Sequence, residues 1–178
     1  MKPKKTNPHK ADILMLVVGQ IKKSLAYLQP GIDLYLKRLN HYAQVTVIEV
    51  ADAPILPSKT TDQVLAEEAK SLMPYLEQAA YCIALSEHGK VMNSCQFAAH
   101  FFETVWPNRL NGGFSTGGHG SIIFIVGGPL GLHPEIINHS HLVLSLSAMT
   151  FAHPMVRLIL LEQLYRAFKI NRNEPYHK

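Results

Sequence analysis

The chain has 178 residues, is 47% hydrophobic and carries a net charge of +4, which excludes a disordered polymer and suits one domain with a sizeable core. Its uncharged apolar runs fall well short of the roughly 20 residues of a membrane span. The first ten residues are polar and basic, without the apolar stretch of a secretory signal. Two cysteines, Cys82 and Cys95, form neither a disulfide framework nor a C-x-x-C site, so a reducing cytoplasm is the expected location. Lys2, Lys4, Lys5 and Lys10 account for the whole net charge, and residues 11–178 hold 13 basic and 13 acidic groups. That neutral body is polarised: residues 49–103 carry a balance of −5 and residues 157–178 a balance of +3. A basic arm at 1–12 and a basic tail fit either a phosphate-bearing partner or a solvated surface.

In chain order, residues 13–18 read as a buried strand ended by Gly19. Residues 25–39 carry apolar side chains at helical spacing, with Pro30-Gly31 weakening the first turns. Residues 45–50 are β-rich, and Pro54 and Pro57 mark a loop. Asp62 is a plausible cap for a helix through Val64, Leu65, Ala69, Leu72 and Leu76, which Pro74 would shorten. A short buried strand follows at 81–85, then a helix capped by Ser94 and closed by Pro107. Residues 108–120 form a polar, glycine-rich loop. Residues 122–126 are the most strand-like run of the chain. A short helix at 134–140, a strand at 142–146 and a long helix at 154–170, opened by Pro154, complete the pattern. Strands alternating with helices predict an α/β fold with a mostly parallel sheet flanked by helices on both faces. The last helix is apolar around most of its circumference, which predicts a subunit interface, most simply a two-fold homodimer; a central core helix is the alternative.

Three loops stand out because small residues follow buried strands: Leu85-Ser86-Glu87-His88-Gly89-Lys90, Gly127-Gly128-Pro129-Leu130-Gly131, and Ser145-Leu146-Ser147-Ala148-Met149-Thr150. Such loops at strand ends in an open sheet suggest a ligand pocket. Gly113-Phe114-Ser115-Thr116-Gly117 matches G-x-S-x-G, but it lies in a loop before a strand, the wrong context for a serine nucleophile. No P-loop, dinucleotide fingerprint or zinc-ligand spacing is present, and His139 and His141 read as helix-end or surface residues. No metal is expected. Arg157 is the sole charge among residues 154–161 and needs a carboxylate, a phosphate or backbone carbonyls. Glu162 and Arg166 are spaced to pair along the helix.

Val126-Gly127-Gly128-Pro129-Leu130-Gly131-Leu132, Leu144-Ser145-Leu146-Ser147-Ala148-Met149-Thr150, His153-Pro154-Met155-Val156-Arg157, and Glu162-Gln163-Leu164-Tyr165-Arg166-Ala167 with Pro175-Tyr176-His177-Lys178 together closely resemble the ribosomal RNA large subunit methyltransferase H family, of the SPOUT class. The resemblance runs from the first strand onward and is most specific over 122–178. It implies a C-terminal deep trefoil knot, which connection rules alone would disfavour. It also implies a homodimer in one domain at 13–178, S-adenosylmethionine as donor, and methylation of N3 of a pseudouridine in large-subunit ribosomal RNA on assembled ribosomes. By that resemblance Leu85, Gly127, Gly128, Gly131, Ser147, Ala148, Met149, Thr150, Phe151 and Ala152 form the donor pocket. His153, Arg157, Tyr176, His177 and Lys178 face the target nucleotide, with Arg157, Tyr176 and His177 catalytic. Ala152 replaces the usual proline before His153, and the arm and the 108–121 loop look like additions. A different RNA such as tRNA, or a non-catalytic ribosome-binding role, are the rival functions.

Overall fold

The computed structural model describes residues 12–108 and 120–176. The arm up to residue 11, the G-x-S-x-G match at 113–117, and His177 and Lys178 lie outside the described residues. Five parallel strands form the sheet: β1 (Ile13–Val18), β2 (Val45–Val50), β3 (Tyr81–Val91), β4 (Ile122–Val126) and β5 (Leu142–Ser145), in the order β2-β1-β4-β3-β5. The runs at 13–18 and 122–126 show no polar alternation because both sheet faces are covered, and every residue of β1 and β4 is buried. Ile13, Met15 and Val17 join the core on one face, while Leu14, Leu16 and Val18 join the core on the other. Helices α1 (Gln29–Leu39), α3 (Ser94–His100) and α6 (His153–Asn171) cover the first face; α2 (Thr61–Leu76) and α5 (Pro134–His139) cover the second.

Several boundaries differ from the sequence reading, each for a local reason. Residues 23–28 form a 3-10 turn, and Pro30 opens α1 rather than kinking it, because its missing N–H falls where a helix leaves donors unpaired anyway. Thr60, not Asp62, caps α2: its side chain accepts from the Gln63 N–H while the Gln63 side chain accepts from the Thr60 N–H. Asn93, not Ser94, caps α3 by the same reciprocal bonds with Gln96. Pro74 lies inside α2, which runs on to Leu76. Past α3 the chain widens into one π turn, Phe101–Val105, before the short turn α4 (Trp106–Asn108). Strand β3 continues beyond Leu85: after an outward step at 86–89, Lys90 and Val91 pair again with Leu144 and Ser145 of β5.

The core on the first face centres on Phe101, which is fully buried and touches Phe97, Phe102, Trp106, Phe124 and Phe168 with ring centroids 5.1–6.3 Å apart. Within the single chain, α6 buries Leu160, Leu161, Leu164, Ala167 and Phe168, whereas Met155 is exposed. Phe101→Ala should lower the unfolding free energy by about 3–5 kcal/mol, read from the urea midpoint at unchanged slope.

Candidate functional site

In register, Leu85 on β3 lies opposite Val126 on β4 and Leu144 on β5. The loops that follow these three residues therefore leave the sheet from the same end, the carboxyl end, and gather there. The first glycine loop turns tightly: the Gly131 N–H donates to the Gly128 carbonyl at 3.0 Å. A Cβ on Gly127 would stand 2.3 Å from the Gly131 oxygen, and Gly131 has φ +89°, so neither position admits a side chain without strain. The space a Cβ on Gly131 would occupy is open to 4 Å.

Side chains hold the Ser147 loop. Ser145 Oγ donates to the Ser147 carbonyl at 2.9 Å, Ser147 Oγ accepts from the Met149 N–H at 2.9 Å, and Thr150 Oγ1 donates to Glu87 at 3.0 Å. The last bond ties this loop to the one after Leu85. Among the described residues, no main-chain to main-chain hydrogen bond outside the helices and strands involves residues 147–151, which leaves amides and carbonyls there that a ligand could meet. Leu85 on β3 and Gly127, Gly128, Gly131, Ser147, Ala148, Met149, Thr150, Phe151 and Ala152 on the connecting segments thus lie at one end of the sheet.

A polar cluster adjoins them at the ends of β1 and β2. Arg157 of α6 is only 2% exposed; it ion-pairs with Glu49 of β2, and its Nη2 donates to the Gly19 carbonyl at 2.5 Å. Of the three partners open to it, Arg157 takes a carboxylate and a backbone carbonyl. The guanidinium, which the family resemblance turns toward the nucleotide, pairs here with Glu49, as a charge this deeply buried requires. His153, one turn earlier on α6, lies beside Gly19, with the Val18 and Gly127 carbonyls and Asp52 around its ring. Burial foremost, then the Arg157 charge, lowers its pKa, so the imidazole is held neutral. Neither ring nitrogen makes a well-aligned hydrogen bond within the described residues.

Glu68 of α2 completes the cluster and is 6% exposed. It accepts from the Ala53 N–H at 3.2 Å, and both its oxygens lie 3.4 Å from where a Gly128 Cβ would be. Burial and the nearby Asp52 raise its pKa. Sequence reasoning passed over Glu68, although a signal existed: it occupies the apolar spacing of α2 between Val64 and Leu72.

Residues 12–177 match the family described as Predicted SPOUT methyltransferase. A protein of Bifidobacterium animalis subsp. lactis named ribosomal RNA large subunit methyltransferase H is 41% identical over 94% of this chain and 99% of its own length. A protein of the same name from Clostridioides difficile is 39% identical over 94% of this chain and 99% of its own length. The chain belongs to the ribosomal RNA large subunit methyltransferase H family of SPOUT methyltransferases. A solved structure of a probable methylase family protein from Haemophilus influenzae Rd KW20 shares the fold, with a TM-score of 0.50 and 14% identity over 94% of this chain and 69% of that one.

In this SPOUT methyltransferase the tail folds back on its own helix. Asn173, at φ +53°, reverses the chain. Glu174 accepts from Tyr42 and Lys169 at 2.6 Å each. The Tyr176 hydroxyl donates to Glu162 and meets the Tyr35 hydroxyl, both at 3.0 Å. Burial and these two bonds raise the Tyr176 pKa, so the phenol keeps its proton and suits a donor or stacking role better than that of a base. Its ring stands edge-on to Tyr165 and carries the Arg166 guanidinium 4.8 Å from its centroid. Arg166 pairs with Glu162 at 2.6 Å, as their spacing predicts. His139 ends α5, whereas His141 faces inward: it stacks on Tyr81, and its Nδ1 accepts from the Cys82 N–H at 3.0 Å. Among the described residues no group of three metal-binding side chains occurs.

Glu49→Ala should strand the Arg157 charge and cost about 3 kcal/mol of stability in urea unfolding. His153 has a folded pKa below its unfolded value, so the unfolded chain binds more protons near pH 6 and stability falls as pH drops through the ordinary His value. The slope of unfolding free energy between about pH 7 and about pH 5.5 should therefore be shallower in His153→Gln than in the parent.

Proposed function

We propose that this protein methylates large-subunit ribosomal RNA with S-adenosylmethionine, at N3 of a pseudouridine, acting on assembled ribosomes as a cytoplasmic homodimer. Residues 13–178 form one α/β-knot domain in this reading, with the C-terminal half tied in a trefoil and residues 1–12 as a basic arm. The observation that carries the proposal is the convergence of three small-residue loops at the carboxyl ends of β3, β4 and β5, in a chain nearly collinear with relatives bearing the ribosomal methyltransferase name.

The loops fit the donor. Residues 147–151 leave main-chain groups free for a nucleoside, and Gly131 leaves open space where a side chain would intrude. Bound there, S-adenosylmethionine supplies an electrophilic methyl group on a sulfonium. The protein's own work is then to align the target base in line with that methyl, which contributes several kcal/mol or more, and to accept or relay the N3 proton. His153, held neutral beside the glycine turn, and His177 are the side chains suited to that proton. Arg157 acts as a positioning residue by fixing α6, and with it His153, to Gly19.

Distance along α6 supports the dimer in this reading. Tyr176 is anchored at Glu162, nine residues and about 13 Å along the helix from His153. A tail serving the nucleotide is best placed at a second subunit's loops, across the partly exposed face of α6. The neutral body gives weak RNA attraction by itself, and the lysine arm adds a salt-dependent part.

Incubating the protein with labelled donor and ribosomes, free ribosomal RNA or tRNA, then mapping the label, tests the substrate. Label in tRNA alone, or in none, overturns the reading. Removing residues 176–178 should leave donor binding within about threefold while abolishing transfer, as measured by calorimetry and single-turnover assay.

A further inference from the structure

Four polar or charged residues are buried among the described residues: Thr46, Glu68, Ser145 and Arg157. The two charged ones are handled differently. Arg157 has the Glu49 carboxylate; Glu68 has one backbone N–H, from Ala53, and no Lys, Arg or His partner among the described residues. The Asp52 charge adds repulsion rather than relief. A carboxylate buried without a cation is costly, and such a group tends to meet a cation supplied by a ligand or to give up its charge. Its position is specific as well. Oε1 and Oε2 both lie against Gly128, so the carboxylate backs the glycine turn at a point where any larger residue would touch it.

We propose that Glu68 is a positioning residue that supplies the negative charge opposite the cationic centre of the methyl donor and so makes the site prefer the charged donor over its neutral product. This rests on the donor-site reading of the three loops. Methyl transfer breaks the sulfonium carbon–sulfur bond, forms the nitrogen–carbon bond, and leaves sulfur as an uncharged thioether. Glu68 attracts the species that enters and has no such attraction for the one that leaves. The residue therefore contributes to donor affinity and to product release together.

The test uses the full chain and calorimetric titration with S-adenosylmethionine and, separately, S-adenosylhomocysteine, which differ by one methyl group and one positive charge. Glu68→Gln keeps the shape and the Ala53 bond but removes the charge. It should weaken the donor about tenfold and the product by less than about threefold, so the ratio of the two dissociation constants is the readout. Thermal melting without ligand should show the variant as stable as the parent, since an uncompensated buried charge has been removed. Equal losses for both ligands would mark Glu68 as a structural support, and unchanged ratios would equally overturn the proposal. Should Glu68→Gln not fold, Glu68→Asp serves in its place: the charge is retained one methylene further back, and a donor-selective loss smaller than tenfold is expected, with a ligand-independent loss overturning it. If the parent binds neither ligand, the donor-site reading itself fails, an outcome distinct from a parent that binds both without discrimination through Glu68.

Discussion

The buried guanidinium of Arg157 is the constraint on which the rest of the site depends. It crosses from α6 to the ends of two strands, holding Glu49 of β2 and the Gly19 carbonyl that closes β1. Because Arg157 lies one turn after His153, the same contact fixes where the last helix begins, and so where the Ser147 loop must end. Neither the glycine turn nor the Ser147 loop has much main-chain bonding of its own. Their arrangement is imposed by what they connect: buried strands on one side and an anchored helix on the other. This is a common division of labour in α/β proteins, with rigid elements carrying loops whose backbone groups are left for ligands.

The charges at that end of the sheet are unevenly satisfied. Glu49 and Arg157 neutralise one another. Asp52 and His153 lie near Gly19 and Glu68 near Gly128, with no salt bridge to Asp52 or Glu68 from Lys or Arg among the described residues. In the proposed function, a cationic donor and a polyanionic RNA draw on different charges of one chain, the first on the acidic side chains near the glycine turn and the second on the N-terminal lysines.

Much of the fold was legible because β1 and β4 are apolar without interruption and short, the pattern expected of strands in a sheet covered on two faces. The three loops were legible for the same reason, as runs of small residues at the ends of those strands. Helix starts were less so. Thr60 and Asn93 won over Asp62 and Ser94 because each has a glutamine three residues on that returns the bond, a pairing that single-residue capping preference does not weigh. Arg157 was recognised as needing a partner, but the choice of Glu49 was invisible: the two are 108 positions apart and meet only through the sheet order. Glu68 was hidden in a helical stripe where an acid looked like one more surface charge. The return of β3 to pair again past Leu85 was hidden too, since Ser86 and Gly89 read as the end of a strand rather than as a step within one.

The sheet order also bears on how the chain reaches its native state. Strand β1 occupies an interior position between β2, its neighbour in sequence, and β4, with Ile13 opposite both Val45 and Ile122. During synthesis β1 can pair with β2 early, but its other edge stays unpaired until β4, which begins at Ile122, 72 residues beyond Val50 at the end of β2, has emerged. Parallel pairing over such a span carries a large loop-closure cost before any contact repays it, so folding is slow, and the half-built ribbon exposes an apolar strand edge while it waits. The apolar edge of β1 that faces β4 is therefore the last part of the sheet's centre to be covered.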